Sequence, residues 1–190
     1  MTKYKAIHGR NILHVASDLD TAEAEGQVWF NTATSDYKTI VKVAGSWSSG
    51  GALNTAKAKP GGSGIQTAAA AFGGTGAEAE TEVYNGAAWT ESGDLNTGRG
   101  DGAGLGLSTA ALFAGGETAT AYVAITESYD GSSWTETGDL NAARGATAGC
   151  GITTAALAVS GATGSPNFTQ LNESFDGSSW TEVGDLAQGK

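Results

Sequence analysis

A short phrase built around a tryptophan recurs along this chain at a nearly constant interval. Its full copies span residues 84–96, 129–141 and 175–186, and the first copy reads Tyr-Asn-Gly-Ala-Ala-Trp-Thr-Glu-Ser-Gly-Asp-Leu-Asn. A degenerate copy precedes them at 45–54. The tryptophans of the four copies stand at 47, 89, 134 and 180, so successive copies are separated by 42, 45 and 46 residues. A period of this length is typical of a supersecondary unit that buries its apolar face only by stacking on its neighbours. The phrase therefore predicts a repeat architecture.

Each unit divides into short extended segments that are separated by turn signals. In the second unit, residues 109–114 form an apolar run closed by two glycines, and residues 122–129 are rich in β-branched and aromatic side chains. An Asp-Gly dipeptide then predicts a tight turn, and residues 133–137 predict another strand. With the extended segment 146–150, this pattern predicts four short strands per unit. The apolar run is short and almost free of polar residues, which favours a strand buried on both faces.

The order of these features resembles the kelch repeat. In that family an apolar strand ending in Gly-Gly is followed by a tyrosine, then a tryptophan, and then an arginine about ten positions later. The tyrosine and tryptophan are separated by four residues here, against the usual six, so a tighter turn is expected between the two strands. The matching positions are Gly73, Gly74, Tyr84, Trp89 and Arg99 in the first unit, Gly115, Gly116, Tyr129, Trp134 and Arg144 in the second, and Gly161, Phe175, Trp180 and Lys190 in the third.

The resemblance covers about residues 60–190 and implies an all-β fold of kelch-like β-propeller blades, each a four-stranded antiparallel sheet. The three repeats would be about 60–100, 101–145 and 146–190. The resemblance also implies that the aromatic residues pack between blades and that the arginine lies near the blade junction. The residues expected in the structural core of the repeats are Trp47, Tyr84, Trp89, Tyr129, Trp134, Phe175 and Trp180.

Three full units and one partial unit are few for a closed ring, because propellers typically have four to eight blades. An incomplete or truncated ring is therefore expected, and three explanations stay open. The natural chain is longer than 190 residues, or the N-terminal segment completes a four-bladed ring, or several chains share an open array. We favour the first of these.

Residues 1–59 differ from the repeats, since their net charge is +2 against −12 for residues 60–190. A short strand is predicted at 12–15 and a strand–turn–strand pattern over 26–43, so this segment is a small β element. Its Gly-Gln-Val-Trp-Phe-Asn-Thr sequence, followed by Gly-Ser-Trp at 45–47, resembles an element of bacteriophage tail-fibre and related virion proteins. The combination with glycine- and alanine-rich kelch-like units resembles structural proteins of marine tailed phages.

Composition argues against several classes of function. An acidic surface repels phosphate backbones, so we expect no binding of nucleic acid. No stretch approaches the roughly 18 apolar residues of a membrane helix, and no signal-peptide pattern is present at the start of the chain, so we expect no membrane insertion. The two histidines, His8 and His14, and the single cysteine, Cys150, supply no metal-ligand spacing and no catalytic set. We therefore predict no enzyme activity, no metal and no cofactor.

The resemblance to phage proteins implies a virion structural protein, made in the host cytoplasm, that forms part of a tail fibre or tail-attached appendage. Residues 1–59 would dock onto other virion proteins, the chain would form a homo-oligomer, and the rigid propeller would bind a host surface receptor or glycan without covalent chemistry. A cellular kelch-type interaction module and, less favoured, a carbohydrate-active enzyme are the alternatives. The connectors 75–79, 117–121 and 163–169 vary most between repeats, and the contact residues expected in them are Thr75, Glu78, Glu117, Thr118, Thr120, Ser165 and Asn167.

Overall fold

The computed structural model describes residues 13–15, 28–39, 50–164 and 167–187. Every regular element among these residues is a β-strand, so the predicted all-β class is confirmed.

The chain divides into two compact units, Met1–Ser49 and Gly50–Lys190. Residues 50–59 therefore belong to the unit that contains the repeats, whereas the sequence analysis placed them in the N-terminal segment. The reason is that Asn54 and Lys59 bond to side chains of the repeats, Glu82 and Asp101 respectively, and these partners are far away in the sequence.

Three strands form one sheet in the described part of the first unit. Strand β1 (Leu13–Val15) pairs in parallel with β2 (Val28–Asn31), and β2 pairs antiparallel with β3 (Asp36–Thr39). The side chain of Asn31 stabilises the turn after β2, because its Oδ1 accepts two backbone N–H groups of that turn at 2.9 and 3.2 Å. The short strand and the strand–turn–strand pattern expected for this segment are both found.

The described residues of the second unit form three four-stranded antiparallel sheets, one in each predicted repeat. Sheet 1 comprises β4 (Gly61–Ile65), β5 (Ala68–Gly74), β6 (Glu78–Tyr84) and β7 (Trp89–Ser92). Sheet 2 comprises β8 (Ala103–Leu107), β9 (Ala110–Ala114), β10 (Thr126–Tyr129) and β11 (Trp134–Glu136). Sheet 3 comprises β12 (Ala148–Ile152), β13 (Ala155–Gly164), β14 (Asn167–Phe175) and β15 (Trp180–Val183). In each sheet the strands pair in chain order, as predicted for the blades of an incomplete propeller.

The first strands of the three sheets lie side by side, with β8 in contact with both β4 and β12. These strands are rich in glycine because their backbones approach one another closely. A Cβ atom at Gly104 in β8 would collide with the backbone of Gly62 in β4. The glycines that recur in the sequence therefore allow neighbouring sheets to stack at this end.

The second strand of sheet 2 is buried on both faces, as its sequence predicts. Leu112 belongs to the apolar cluster that sheet 2 forms with sheet 3, and Phe113 belongs to the cluster that it forms with sheet 1. Both side chains are fully buried. Sheet 2 thus packs one face on sheet 1 and the other face on sheet 3.

The connection between the last two strands of sheet 2 is a tight turn at the Asp-Gly dipeptide, where the sequence predicts one. Tyr129 pairs with Trp134, so four residues intervene, and Gly131 among them has a φ of 99°. The side chain of Asp130 closes this turn by accepting the backbone N–H groups of Ser133 and Ser132, both at 2.9 Å. These bonds lower the pKa of Asp130 from its usual 3.8 to about 2.

Candidate binding face

The tryptophans of sheets 2 and 3 are held by the sheet that precedes each of them. Trp134 is only 5% exposed, and its ring packs against Phe72 of sheet 1 with ring centroids 4.7 Å apart. Its Nε1 donates a hydrogen bond to Thr81 Oγ1 at 2.9 Å. Trp180 donates in the same way to Thr126 Oγ1 at 3.1 Å. A buried indole needs such an acceptor, so each tryptophan fixes one sheet against the next.

The residues expected in the repeat core differ in burial from one sheet to the next. The members in sheets 2 and 3 are buried, whereas the pair in sheet 1 is half-buried. Trp47 lies outside the described residues. The buried residues are Tyr129, Trp134, Phe175 and Trp180, and the half-buried residues are Tyr84 and Trp89.

A buried carboxylate forms a second repeated contact, between a sheet and the connector that reaches it from the preceding sheet. Glu127 of sheet 2 is fully buried and accepts the backbone and side-chain N–H groups of Asn96 at 2.7 and 2.8 Å. It also accepts a bond from Arg99 Nη1 at 2.5 Å. Burial lowers the pKa of Arg99, and the bond to Glu127 partly offsets that effect. A buried carboxylate is costly unless its charge is paired in this way. The corresponding residues between sheets 2 and 3 are Glu173, Asn141 and Arg144.

The carboxylate of sheet 1 has the same surroundings, although its partners come from residues 50–59. Glu82 accepts the backbone N–H groups of Asn54 and Thr55 at 2.7 and 2.9 Å. Burial alone would raise the pKa of Glu82, but these bonds and the nearby charge of Lys57 lower it below its usual 4.5. Glu82 therefore stays ionised at neutral pH.

The sequence analysis did not single out these glutamates. It placed the arginine near the blade junction, as the kelch resemblance implies, but it named no partner for it. A signal was present, because a glutamate stands two residues before the aromatic residue in each repeat, as in Glu82 and Tyr84.

The connectors of sheets 1 and 2 meet at a half-open cleft of about 260 Å³. Lys59 Nζ lies 2.9 Å from Asp101 Oδ2 and 3.9 Å from Glu117 Oε2. The hydrogen bond that Lys59 donates to Asp101 and the negative charge of that carboxylate raise the pKa of Lys59, so the amine is protonated at neutral pH. The walls of the cleft include Lys59, Thr75, Gly100, Asp101, Glu117 and Thr118.

Three of the seven expected contact residues, Thr75, Glu117 and Thr118, therefore lie together in this cleft. Thr120 follows on the exposed turn that the Thr118 hydroxyl stabilises, since Thr118 Oγ1 accepts the N–H groups of residues 120 and 121. Glu78 is half-buried in β6 and Asn167 begins β14 in sheet 3, and neither is among the residues that line the cleft. Ser165 lies outside the described residues.

The groups in the cleft are suited to binding through hydrogen bonds and charge. Two carboxylates accept hydrogen bonds, the amine donates them, and the threonine hydroxyls do both. The described residues contain no group of three or more His, Cys, Asp or Glu side chains that could hold a metal ion. Among the same residues, no helix is long and apolar enough to cross a membrane.

Neither the protein-family models nor the curated proteins contain a match to this chain. Solved structures do match, and one of them is the structure of YjhT, which aligns with 83% of this chain at 12% identity and a TM-score of 0.56. The aligned region covers 51% of the YjhT chain, so this chain spans about half of that chain's length. At this level of identity the likeness concerns the fold alone.

Proposed function

We propose that this chain is a virion structural protein of a tail fibre or tail-attached appendage, which binds a host surface receptor or glycan through its connectors. The observation that supports the proposal is the cleft, where Thr75 of sheet 1 and Glu117 and Thr118 of sheet 2 lie together. These residues belong to connectors that differ between repeats, whereas the contacts that stack the sheets are the same from one repeat to the next.

The stacked sheets are a rigid support for such a cleft. Successive sheets are joined by an indole hydrogen bond, as from Trp134 to Thr81, and by a buried ion pair, as between Arg99 and Glu127. A preorganised support lowers the entropy lost when a ligand orders its binding loops. Affinity then depends on the side chains that the connectors present.

The polar lining of the cleft favours a ligand rich in hydroxyl groups. The carboxylates of Asp101 and Glu117 can accept hydrogen bonds from sugar hydroxyls, and Lys59 can donate to ring or carbonyl oxygens. A bacterial surface polysaccharide is the ligand class with this chemistry that a phage appendage would meet. The proposed mechanism is recognition without bond breaking, and the chain is proposed not to be an enzyme.

The virion part of the proposal rests on the resemblance of residues 26–47 to tail-fibre elements. The hairpin of β2 and β3 has the strand–turn–strand form that this resemblance requires. We propose that residues 1–59 dock onto other virion proteins, that the chain forms a homo-oligomer, and that it is made in the host cytoplasm before it enters the particle.

Binding to an array of purified bacterial lipopolysaccharides and capsular polysaccharides tests the receptor part. The wild-type chain is expected to bind at least one glycan, and Thr118→Arg, in the cleft wall, to weaken that binding by at least tenfold, or about 1.4 kcal/mol. Thr135→Arg is the matched control, because Thr135 is exposed on β11 and is not among the residues lining the cleft. If the wild type bound no glycan, or if the two variants bound equally well, the cleft would not be a glycan site.

A further inference from the structure

One face of sheet 3 is uncovered among the described residues, although the same face is buried in sheet 2. Leu112 of sheet 2 is 0% exposed, whereas Leu157 at the same place in sheet 3 is 39% exposed. Likewise Leu105 is buried, whereas Cys150, its counterpart, is exposed. Leu105 and Leu112 are buried because sheet 3 packs on them. Leu157 and Cys150 therefore lie where a further sheet would pack.

A buried polar atom in sheet 3 also indicates that a further sheet packs on this face. The threonines of sheets 1 and 2 at this position accept the indole N–H of the following sheet's tryptophan. Asn172 occupies the position in sheet 3, is only 7% exposed, and donates from Nδ2 to Gly184 O at 2.8 Å. Its Oδ1 has no hydrogen-bond partner within the described part of the chain. An unpaired buried acceptor is destabilising, and this one stands where an indole N–H is bound in the other sheets.

The complementary face is on sheet 1. The rings of Tyr84 and Trp89 pack together with centroids 5.1 Å apart, as the corresponding pairs do in sheets 2 and 3. Both residues are only half-buried, and Trp89 Nε1 donates to the backbone carbonyl of Gly51 at 3.1 Å instead of to a side chain of a preceding sheet. Within the described residues, sheet 3 therefore has a face without an aromatic pair packed on it, and sheet 1 has an aromatic pair without such a face.

We propose that a second copy of this chain completes both faces. The Tyr84 and Trp89 pair of one copy would pack on Leu157 and Asn172 of the other, and the reverse contact would close a ring of six sheets. A twofold pair of this kind leaves no open end, and six sheets fall within the four to eight blades of known propellers. The solved YjhT chain is about twice as long as the part of it that this chain matches. The YjhT chain is therefore long enough to contain two regions of the matched size. The inference does not depend on what the cleft binds.

The connectors favour a second copy over a further repeat of the same chain. A further repeat would need an asparagine after sheet 3 for its buried glutamate, as Asn96 and Asn141 serve sheets 2 and 3. Ala187 stands at that position. Sheet 1 does not require an asparagine from the chain on which it docks, because Asn54 of its own chain already binds Glu82. Sheet 1 of a second copy can therefore dock on sheet 3 without leaving a buried carboxylate unpaired.

Sedimentation velocity and thiol modification of the full chain test this proposal together. The wild type is expected to sediment as a dimer, with Cys150 reacting with a thiol reagent on the order of tenfold more slowly than in the dissociated chain, because the interface covers it. Leu157→Arg and Trp89→Ala, on the two sides of the interface, are each expected to give a monomer whose Cys150 reacts rapidly. Leu107→Arg is the matched control, because Leu107 is an exposed leucine outside the interface, and this variant is expected to remain dimeric. Circular dichroism checks that each variant is folded.

Each contrary result would overturn the proposal. A monomeric wild type would show that no second copy is bound. Association that survives Leu157→Arg would show that copies meet through other surfaces, such as residues 1–59. A dimer in which Cys150 reacts at the monomer rate would show that the interface leaves this face of sheet 3 open.

Discussion

Replacing Arg99 by methionine tests the buried contact between sheets 1 and 2. The Arg99 guanidinium bonds to Glu127, and it also donates to the backbone carbonyls of Phe113 and Gly115 at 2.8 and 2.9 Å. Methionine fills part of the volume but supplies none of these donors. Glu127 would then be a fully buried carboxylate that keeps only the N–H groups of Asn96 and Thr97.

Removing one partner of a buried ion pair typically costs about 3–5 kcal/mol, because the other charge stays buried without compensation. For a unit of this size each kcal/mol lowers the melting temperature by about 2–4 °C. Arg99→Met is therefore expected to lower the melting temperature by about 6–20 °C. The double variant Arg99→Met with Glu127→Gln is expected to be more stable than Arg99→Met alone, because it leaves no charge buried.

Urea unfolding at neutral pH, followed by tryptophan fluorescence, measures these free energies of unfolding. Lys59→Met is the matched control, since the ion pair of Lys59 with Asp101 is exposed and exposed pairs contribute little. If Arg99→Met cost no more than Lys59→Met, the buried pair would not stabilise the contact between the sheets. If the double variant were as unstable as the sum of the two single variants, the two side chains would not be coupled.

Three further predictions concern the turns, the indole bond and the close approach of the sheets. Because the pKa of Asp130 is lowered from 3.8 to about 2, its contribution to stability is present above pH 3.8 and is lost as the pH falls towards 2. Asp130→Asn keeps the turn acceptor and is expected to flatten the melting temperature between pH 4 and pH 2; an unchanged profile would refute this. Thr81→Val leaves the Trp134 indole N–H unpaired and is expected to cost about 1–3 kcal/mol in urea unfolding, whereas no loss would mean that the bond is unimportant. Gly104→Ala is expected to cost about 1–3 kcal/mol through overpacking, while Gly62→Ala, whose Cβ has ordinary contacts, stays within about 0.5 kcal/mol; equal effects would contradict the close approach of β4 and β8.

The positions of the sheets could be predicted because each repeat contains its own strand and turn signals. The run 109–114 is short, apolar and bounded by glycine, and it is the buried strand β9. The Asp-Gly dipeptide predicted a tight turn at Asp130, and the turn is found there with four residues between Tyr129 and Trp134. An Asp-Gly dipeptide also fits a four-residue turn in which the aspartate side chain accepts the N–H groups, as occurs here.

The contacts between repeats could not be predicted in the same way. Asn96 and Glu127 are 31 residues apart in the sequence, and no local pattern shows that one binds the other. Whether an aromatic residue is buried also depends more on the neighbouring sheet than on the repeated sequence phrase that contains the residue. Trp89 and Trp134 occupy the same place in nearly identical phrases, yet only Trp134 is buried, because sheet 1 packs on it.

The sequence indicated which connectors vary between repeats, but not that two of them meet at a cleft. Connectors that vary between repeats were expected to carry the contact residues, and those of sheets 1 and 2 do lie together. Variation in sequence does not show where a connector lies, so Glu78 and Asn167 were expected at the site although neither lines the cleft. Lys59 and Asp101 were not expected there, because both come just before the first strand of a sheet and not from a variable connector.

Hydrogen exchange of the indole N–H groups, measured by NMR on the ¹⁵N-labelled chain, tests most directly whether the tryptophans hold successive sheets together. The account predicts slow exchange at Trp134 and Trp180, whose N–H groups are bonded to buried threonines. In the variant Leu157→Arg, which is expected to be monomeric, faster exchange is predicted at Trp89, which is half-buried in the single chain. Rapid exchange at Trp134 and Trp180 would contradict the stacking of the sheets on which the proposed binding face depends.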